Sequence, residues 1–564
     1  MQWRPLHGWV LAWLAVLLSR AILVAFPPEG QLYFPDELVM TLSAVDRFLG
    51  VPSLTLAWPG TTLQLLTTPA VGLQLARGCL HAGHDARNLS CLATGLGEIY
   101  LHPWGVLATM RLASALLASA TPLLLVALSR RAGAGRGPAL LGGLYLATNR
   151  LLWQEGAMAT GEAASVTFAL AAFLWAMPSD KSPPRPFISG LLVGLAVASK
   201  VTVLMLAGAS VFILLLAPGQ SKRARLRASF RWGAGVVVAF ASCCPYVWTD
   251  PLRLLKATLG NFMRPGTSRG AGDALAALNE AAGGVGWIVA GGALLAIAVL
   301  VARPATRWLG AASAAGLMVI AAPLVTAGLL SPRYTVPALT FACLLTTLSL
   351  TWILGLLPER GARVVLTVAF LIPVWACLRT LKAEHALRSP DAVLAATDGL
   401  LTELTQGDVY LPGDVVWQTY PAVSREDIAA MRASAERGLA DEASALNFLQ
   451  AHGVDRTAGA ALIDNFNGLE RVMLARLRVM ELVAPSRPRR LHFYVNASSQ
   501  GDVDEPRIPF FEGLREEAIR SWQASSGPAG ILVNRELPGL TAAGGDGGWL
   551  RYEKGAAAAA AVPK

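Results

Sequence analysis

Apolar segments separated by short polar loops fill the first 380 residues of the chain. A helix needs roughly 20 apolar residues to cross a bilayer. About eleven segments approach that length, and they lie near residues 8–26, 104–128, 138–152, 159–177, 187–199, 201–217, 231–249, 284–302, 308–330, 334–357 and 363–380. The first segment lacks a clean signal-peptide cleavage site and is predicted to be an anchor. The pattern predicts an all-α polytopic membrane domain over residues 1–383.

A different rhythm begins near residue 384. Short apolar runs at 409–411, 460–463, 491–495 and 530–533 alternate with helical patterns at 425–450, 468–483 and 511–524. Such alternation is typical of α/β domains. We therefore predict a soluble α/β domain over residues 384–554, followed by a disordered Ala-rich tail at 555–564.

The composition excludes an ordinary soluble protein. Of the 564 residues, 54% are hydrophobic and 15% are charged, whereas soluble domains are about 25% charged. The net charge of +10 does not indicate nucleic-acid binding, because the basic excess lies in the apolar part of the chain. Residues 1–383 carry 29 Lys and Arg against 13 Asp and Glu, and residues 384–564 carry 18 against 24. We therefore expect a lipid bilayer, and no nucleic acid, as a partner.

The basic residues also predict an orientation, because cytoplasmic loops are enriched in Lys and Arg. With a cytoplasmic N-terminus, the inner loops carry 14 basic residues: Arg4, Arg130, Arg131, Arg136, Lys181, Arg185, Lys222, Arg223, Arg225, Arg227, Arg303, Arg307, Arg360 and Arg363. The large loop 27–103 and the C-terminal domain then lie outside. Arg outnumbers Lys 40 to 7, which, with the compact loops, favours a bacterial inner membrane.

Charged residues at the outer ends of the predicted spans are the candidates for chemistry, because ionisable groups are costly in a membrane. Acids and bases from six places in the sequence fall there: Asp36 with Glu37, Arg111, Glu162, Lys200, Asp250 and Arg333. Pro35 before the acidic pair is typical of a helix N-terminus, so capping is an alternative role for those two acids. The other charges have an alternative role as interfacial anchors.

The mixture of carboxylates and cations suggests group transfer. Arg and Lys can hold a phosphate, and a nearby carboxylate can accept a proton from an attacking hydroxyl or amine. A membrane-embedded site with phosphate as the leaving group points to a lipid-linked donor. A transporter or flippase for a lipid-linked or anionic substrate is the alternative, although transporters place polar groups at the midplane and usually contain repeats.

The order of the motifs resembles the GT-C superfamily of polytopic membrane glycosyltransferases, in the branch of protein O-mannosyltransferases and the bacterial aminoarabinose transferase. Scattered motifs over residues 8–380 carry the resemblance. They are Asp36-Glu37, the Arg-Leu-x-Ser-Ala-Leu pattern at Arg111–Leu116, Glu162, Gly194-Leu195-Ala196 leading to Lys200, Pro245-Tyr246 through Asp250-Pro251, and Arg333-Tyr334-x-x-Pro337. The chain departs from the family at Ala57-Trp58-Pro59-Gly60, where a His-Pro-Pro-like element is common.

The resemblance implies a polyprenyl-phosphate sugar donor, an inverting transfer and an acceptor that is a protein, a lipid or a glycan. Asp36 would be the general base, and Glu37 would orient the acceptor or share that role. Arg111, Lys200 and Arg333 would bind the departing phosphate.

Four residues would support this site, namely Glu162, Asp250, Tyr334 and Trp58. For the two aromatic residues an interfacial position is the alternative. Some relatives use a divalent metal, but two adjacent acids make a poor metal site. No metal ligand or cofactor is therefore assigned, and the use of a divalent metal is left as an open alternative. Cys79 and Cys91 can form a disulfide in an extracytoplasmic loop or remain thiols.

Overall fold

The computed structural model describes the chain in separate stretches. They are residues 35–49, 61–81, 88–178, 183–200, 203–217, 221–251, 278–326, 335–388, 407–412, 423–440, 471–494, 518–533 and 544–554, with short gaps inside some stretches and isolated residues between them. The predicted first span at 8–26 and the Ala-rich tail lie outside these residues. By its contacts the chain divides into two compact units.

Helices dominate the described residues. In chain order they are α1 (Pro35–Leu49), α2 (Thr61–His81), α3 (Leu89–Leu101), α4 (Trp104–Arg131), α5 (Arg136–Thr148), α6 (Arg150–Ala157), α7 (Glu162–Ala176), α8 (Pro186–Ser199), α9 (Leu204–Gly208), α10 (Ser210–Leu216), α11 (Lys222–Cys243), α12 (Tyr246–Thr249), α13 (Gly286–Ala302), α14 (Arg307–Thr326), α15 (Val336–Leu356), α16 (Glu359–Arg388) and α17 (Arg425–Ala440). Residues 471–481 and 518–524 are also helical.

Each predicted span from 104 onwards overlaps one or two of these helices. Among the described residues, α4, α15 and the Glu359–Arg379 part of α16 are long and apolar enough to cross a membrane by length and composition. Helices α6 and α7 meet the same test together, with a bend of 114° between them. The structure thus contains several apolar helices of the predicted kind, and the number eleven stays a prediction.

The first compact unit contains residues 1–26, 55–67 and 108–386. Its tightest helix pair is α8 with α11, where backbone meets backbone. A Cβ atom at Gly190 would overlap the Trp232 carbonyl, and one at Gly235 would overlap the Phe187 carbonyl. Small residues at helix contacts are typical of helix packing in membranes, because they let two backbones approach closely.

The second unit contains residues 27–54, 68–107 and 387–564. Apolar side chains of α1, α3, α17 and the helical residues 471–481 form one core, with Val45, Ile99, Ile428 and Leu477 among its buried members. A disulfide between Cys79 and Cys91 joins α2 to α3. This grouping places the predicted first outer loop, apart from residues 55–67, with the C-terminal region. The predicted domain boundary at residue 383 stays a prediction.

The C-terminal region contains a five-stranded sheet. Its strands are β1 (Gly407–Pro412), β2 (Arg489–Tyr494), β3 (Ala529–Val533), β4 (Gly544–Asp546) and β5 (Trp549–Lys554). Their order across the sheet is β2-β1-β3-β5-β4, with β1 parallel to β2 and β3, and β5 antiparallel to β3 and β4. Every residue of β3 is buried, as expected for a central strand. Predicted apolar runs coincide with β1, β2 and β3, whereas the run at 460–463 lies outside the described residues.

Candidate functional site

The Asp-Glu pair lies in the first turn of α1. Pro35 opens the helix, which suits proline because the first turn needs no backbone donor. The Glu37 side chain is fully buried, and the Thr41 hydroxyl donates to the Glu37 carbonyl at 2.6 Å. Asp36 is described by its backbone only. The helix macrodipole stabilises carboxylates at this end of a helix, so the position suits two acids. Both acids belong to the second compact unit.

Arg111 lies two turns into α4, and only 2% of its surface is exposed. The seven residues from Trp104 to Arg111 correspond to about 10 Å of helix. Long basic side chains at the edge of a membrane usually extend towards water, and this one does not. Such burial argues against an interfacial anchor and is consistent with a role of Arg111 inside the first unit.

Glu162 and Lys200 meet although the sequence analysis did not predict their contact. The Lys200 Nζ forms a buried ion pair with Glu162 Oε1. Glu162 begins α7 directly after the 114° bend, and Lys200 follows the last residue of α8. Each charge therefore lies at the helix end whose dipole stabilises it.

Two threonines position the end of α8 that carries Lys200. Thr61 Oγ1 donates to the Ala198 carbonyl and Thr62 Oγ1 to the Leu195 carbonyl, both at 3.0 Å. The last four carbonyls of a helix, which here include that of Ala198, have no partner within the helix. The bond to Leu195 adds a second contact just before them, so the two bonds together fix the final turn of α8. Sequence reasoning missed both threonines, because a Thr-Thr pair carries no motif and its partners lie more than 130 residues away.

The structure describes only part of the predicted site. Trp58, Asp250, Arg333 and Tyr334 lie outside the described residues. Within those residues no group of three or more His, Cys, Asp and Glu side chains could hold a metal ion, and a divalent metal stays open. Arg111, Glu162 and Lys200 are buried in the first unit, whereas Asp36 and Glu37 belong to the second.

The central part of the chain matches a known family. Residues 106–248 match the profile of the family described as dolichyl-phosphate-mannose-protein mannosyltransferase. That stretch contains Arg111, Glu162 and Lys200. None of the curated protein sequences matches the chain.

Three solved structures resemble the chain at low identity. ArnT from Cupriavidus metallidurans in the apo state has a TM-score of 0.47 and 15% identity, covering 97% of this chain and 98% of that one. The same protein bound to undecaprenyl phosphate has a TM-score of 0.46 with equal identity and coverage. The archaeal oligosaccharyltransferase AglB from Archaeoglobus fulgidus, in complex with an inhibitory peptide and a dolichol-phosphate, has a TM-score of 0.39 and 12% identity, covering 75% and 64%.

The family match falls on the predicted second to seventh spans, where three of the motif residues lie. Together with the order of the motifs, it supports the resemblance to the membrane glycosyltransferases of the GT-C superfamily. Within that superfamily the chain is similar to the branch of protein O-mannosyltransferases and the aminoarabinose transferase. The predicted resemblance and the predicted enzyme class, a glycosyltransferase, are therefore confirmed.

Proposed function

We propose that the protein transfers a sugar from a polyprenyl-phosphate donor to an acceptor on the extracytoplasmic side of a bacterial inner membrane. The family match over residues 106–248 carries this proposal, because that family is named for a lipid-phosphate sugar. The stretch also holds three charged residues, Arg111, Glu162 and Lys200, which are at most 8% exposed. Charged groups within membrane spans are costly and rare, and they commonly mark a functional site.

The transfer is a single displacement with inversion. The acceptor oxygen or nitrogen attacks the anomeric carbon, and the bond from that carbon to the phosphate oxygen breaks. The proton of the acceptor goes to the Asp36 carboxylate, and the bonding electrons go to the departing lipid phosphate. Glu37 orients the acceptor beside this base or shares its role.

The departing phosphate gains negative charge during the reaction, so cations aimed at it lower the barrier. Arg111, Lys200 and Arg333 fill that role in the proposal. The buried Glu162 carboxylate holds the Lys200 ammonium through their ion pair, which fixes where that charge can act. Asp250, Tyr334 and Trp58 complete the proposed site as supporting residues.

Two observations support an extracytoplasmic position for the second unit. The Cys79–Cys91 disulfide suits an oxidising compartment such as the bacterial periplasm. Arg476 of the C-terminal region contacts Asp46 of the first loop directly, so both regions must lie on one side of the membrane. The proposed arrangement therefore has loop 27–103 and the C-terminal region outside.

Turnover of a labelled donor tests this function against transport. The purified protein is incubated with radiolabelled polyprenyl-phosphate sugars and a panel of protein, lipid and glycan acceptors. We expect label on an acceptor together with free polyprenyl phosphate. If no donor is consumed while liposomes carrying the protein show substrate flux, the transferase is excluded and the transporter is supported.

A further inference from the structure

A buried ionic cluster in the second unit joins α1 to the C-terminal region. Arg476 Nε donates to Asp46 Oδ1 at 2.8 Å, and Arg476 Nη2 donates to Asp46 Oδ2 at 2.7 Å. The Asp46 side chain is fully buried and the Arg476 side chain is 6% exposed. Two parallel hydrogen bonds to one carboxylate fix both distance and orientation. The two partners are 430 positions apart in the sequence, so the contact joins distant segments of the chain.

Tyr100 of α3 completes the cluster. Its hydroxyl donates to Asp46 Oδ1 at 2.9 Å, and the Arg476 guanidinium lies 5.6 Å from the centre of its ring. Burial, and then the neighbouring Asp46 carboxylate, raise the pKa of Tyr100. The hydroxyl therefore stays protonated and keeps donating at every pH at which the protein works.

Close packing surrounds the cluster. Leu42 and Val45 of α1 share the apolar core with Leu477 of the helical residues 471–481. At Gly97 of α3 a Cβ atom would overlap the Val479 carbonyl, so the two helices touch through their backbones. The cluster is thus embedded in a core with little room for rearrangement.

Helix geometry links this cluster to Asp36. Asp46 follows Asp36 on the same α-helix by ten residues, which is about 15 Å along the axis. Because the helix is a rigid element, a tilt at the Asp46 end displaces the acidic end. A misplacement of about 1 Å in a reacting group can slow an enzyme by roughly 10²-fold.

We propose that Asp46, Arg476 and Tyr100 are positioning residues through which the C-terminal region holds α1, and with it Asp36, in the reactive position. This role rests on the proposed function of Asp36. In this role the C-terminal region contributes to the transfer step without binding the donor or the acceptor.

Arg476→Lys is the main test variant, because it keeps the charge and loses the two-pronged geometry. The matched control is Arg432→Lys. Arg432 forms an ion pair of 2.9 Å with Glu481, and its side chain is about one-third exposed. Glu481 lies on the same helical segment as Arg476. Tyr100→Phe, which removes a single hydroxyl, is the milder second variant if Arg476→Lys does not fold.

The first readout is hydrogen exchange at the amides of α1 in the full-length protein, which needs no activity. We expect about tenfold faster exchange in Arg476→Lys and about threefold in Tyr100→Phe, with no change in Arg432→Lys. The second readout is steady-state kinetics, in which Arg476→Lys lowers kcat about tenfold while the donor KM stays within about twofold.

The two readouts separate this inference from the proposed function. If the wild type transfers sugar and both α1 exchange and kcat are unchanged in the cluster variants, the positioning role is wrong. If α1 exchange rises but a donor is never consumed, the cluster does hold α1 and the proposed function is what fails.

Discussion

Glu162 and Lys200 form a buried ion pair between the start of α7 and the end of α8. The pair joins two neighbouring helices at the point where the chain bends by 114° before α7. Both residues are motif positions of the resemblance to GT-C glycosyltransferases. This contact gives a physical reason for the lysine at the end of the Gly-Leu-Ala-x-x-x-Lys segment. The lysine compensates the charge of a buried carboxylate, which would otherwise destabilise the fold.

Removing the charge of Glu162 should destabilise the first unit. Glu162→Gln leaves the Lys200 ammonium buried without this carboxylate, and breaking a buried pair in this way costs about 3–5 kcal/mol. Thermal unfolding in detergent measures the loss. Glu359→Gln is the control, because Glu359 and its partner Arg363 are each more than three-quarters exposed and such pairs contribute about 0–1 kcal/mol.

The double variant Glu162→Leu with Lys200→Met sharpens this test, because it removes both charges of the ion pair together. We expect it to be more stable than Glu162→Gln and to lose transfer activity. Equal stability of Glu162→Gln and wild type would show that the ion pair does not contribute to the fold.

Gly190 should tolerate no side chain. Gly190→Ala places a methyl group against the Trp232 carbonyl, and overpacking of this kind costs about 1–3 kcal/mol. Gly233→Ala in α11 is the control, since a Cβ there meets nothing within 4 Å and alanine favours a helix by about 0.5–1 kcal/mol. Thermal unfolding should rank Gly233→Ala at or above wild type and Gly190→Ala below it. The reverse order would contradict the backbone contact between α8 and α11.

The Cys79–Cys91 disulfide should stabilise the second unit. It closes a loop with a sequence separation of 12, for which chain entropy predicts about 3 kcal/mol. Cys79→Ser and Cys91→Ser should each lower the unfolding temperature, whereas Cys377→Ser, at a cysteine outside the disulfide, should not.

Alkylation of thiols in intact cells tests the side of the membrane on which the Cys79–Cys91 disulfide lies. Cys79 and Cys91 should react with a thiol reagent only after reduction. Their reaction without reduction would place the loop in a reducing compartment and contradict the proposed orientation.

Glu426 should make stability depend on pH. Its own backbone N–H and then that of Arg487 hold the pKa of this exposed carboxyl below its ordinary value of 4.5. A carboxyl whose pKa is lower in the folded state than in the unfolded state stabilises the fold at every pH above its unfolded-state pKa. This stabilisation is lost as the pH falls through the folded-state pKa. Glu426→Gln should be less stable than wild type near neutral pH, with the difference narrowing below about pH 4.5. A difference that stays constant in unfolding curves from neutral to acid pH would contradict this account.

Local patterns predicted the elements better than the contacts between them. Apolar length places α4, α13 and α15 at the predicted segments, because burial in a membrane constrains composition over a whole helix. The span predicted at 138–152 instead divides at Asn149, whose side chain accepts a hydrogen bond from the Leu152 amide and begins α6. A capping residue inside an apolar stretch is a signal that a search for apolar length overlooks.

Long-range pairing explains most of what the sequence could not reveal. Asp46 directly follows Ala44 and Val45 in α1 and precedes Arg47, so its local sequence does not distinguish a buried acid from an exposed one. Nothing near it identifies Arg476, because that contact depends on how two distant segments pack. The hairpin of β4 and β5 was also missed, since β4 has only three residues and β5 contains three charged residues.

The central claim is that Asp36 is the general base of a lipid-phosphate sugar transfer. The most direct measurement compares wild type and Asp36→Asn, purified in the same way. For each protein, the donor Kd is measured at equilibrium, and the rate of sugar transfer is measured in a single turnover of the bound donor. Asparagine keeps the shape and loses the basicity, so the donor Kd should stay within about twofold while the single-turnover rate falls by about 10²–10⁴-fold. A single-turnover rate that survives unchanged in Asp36→Asn would contradict the claim.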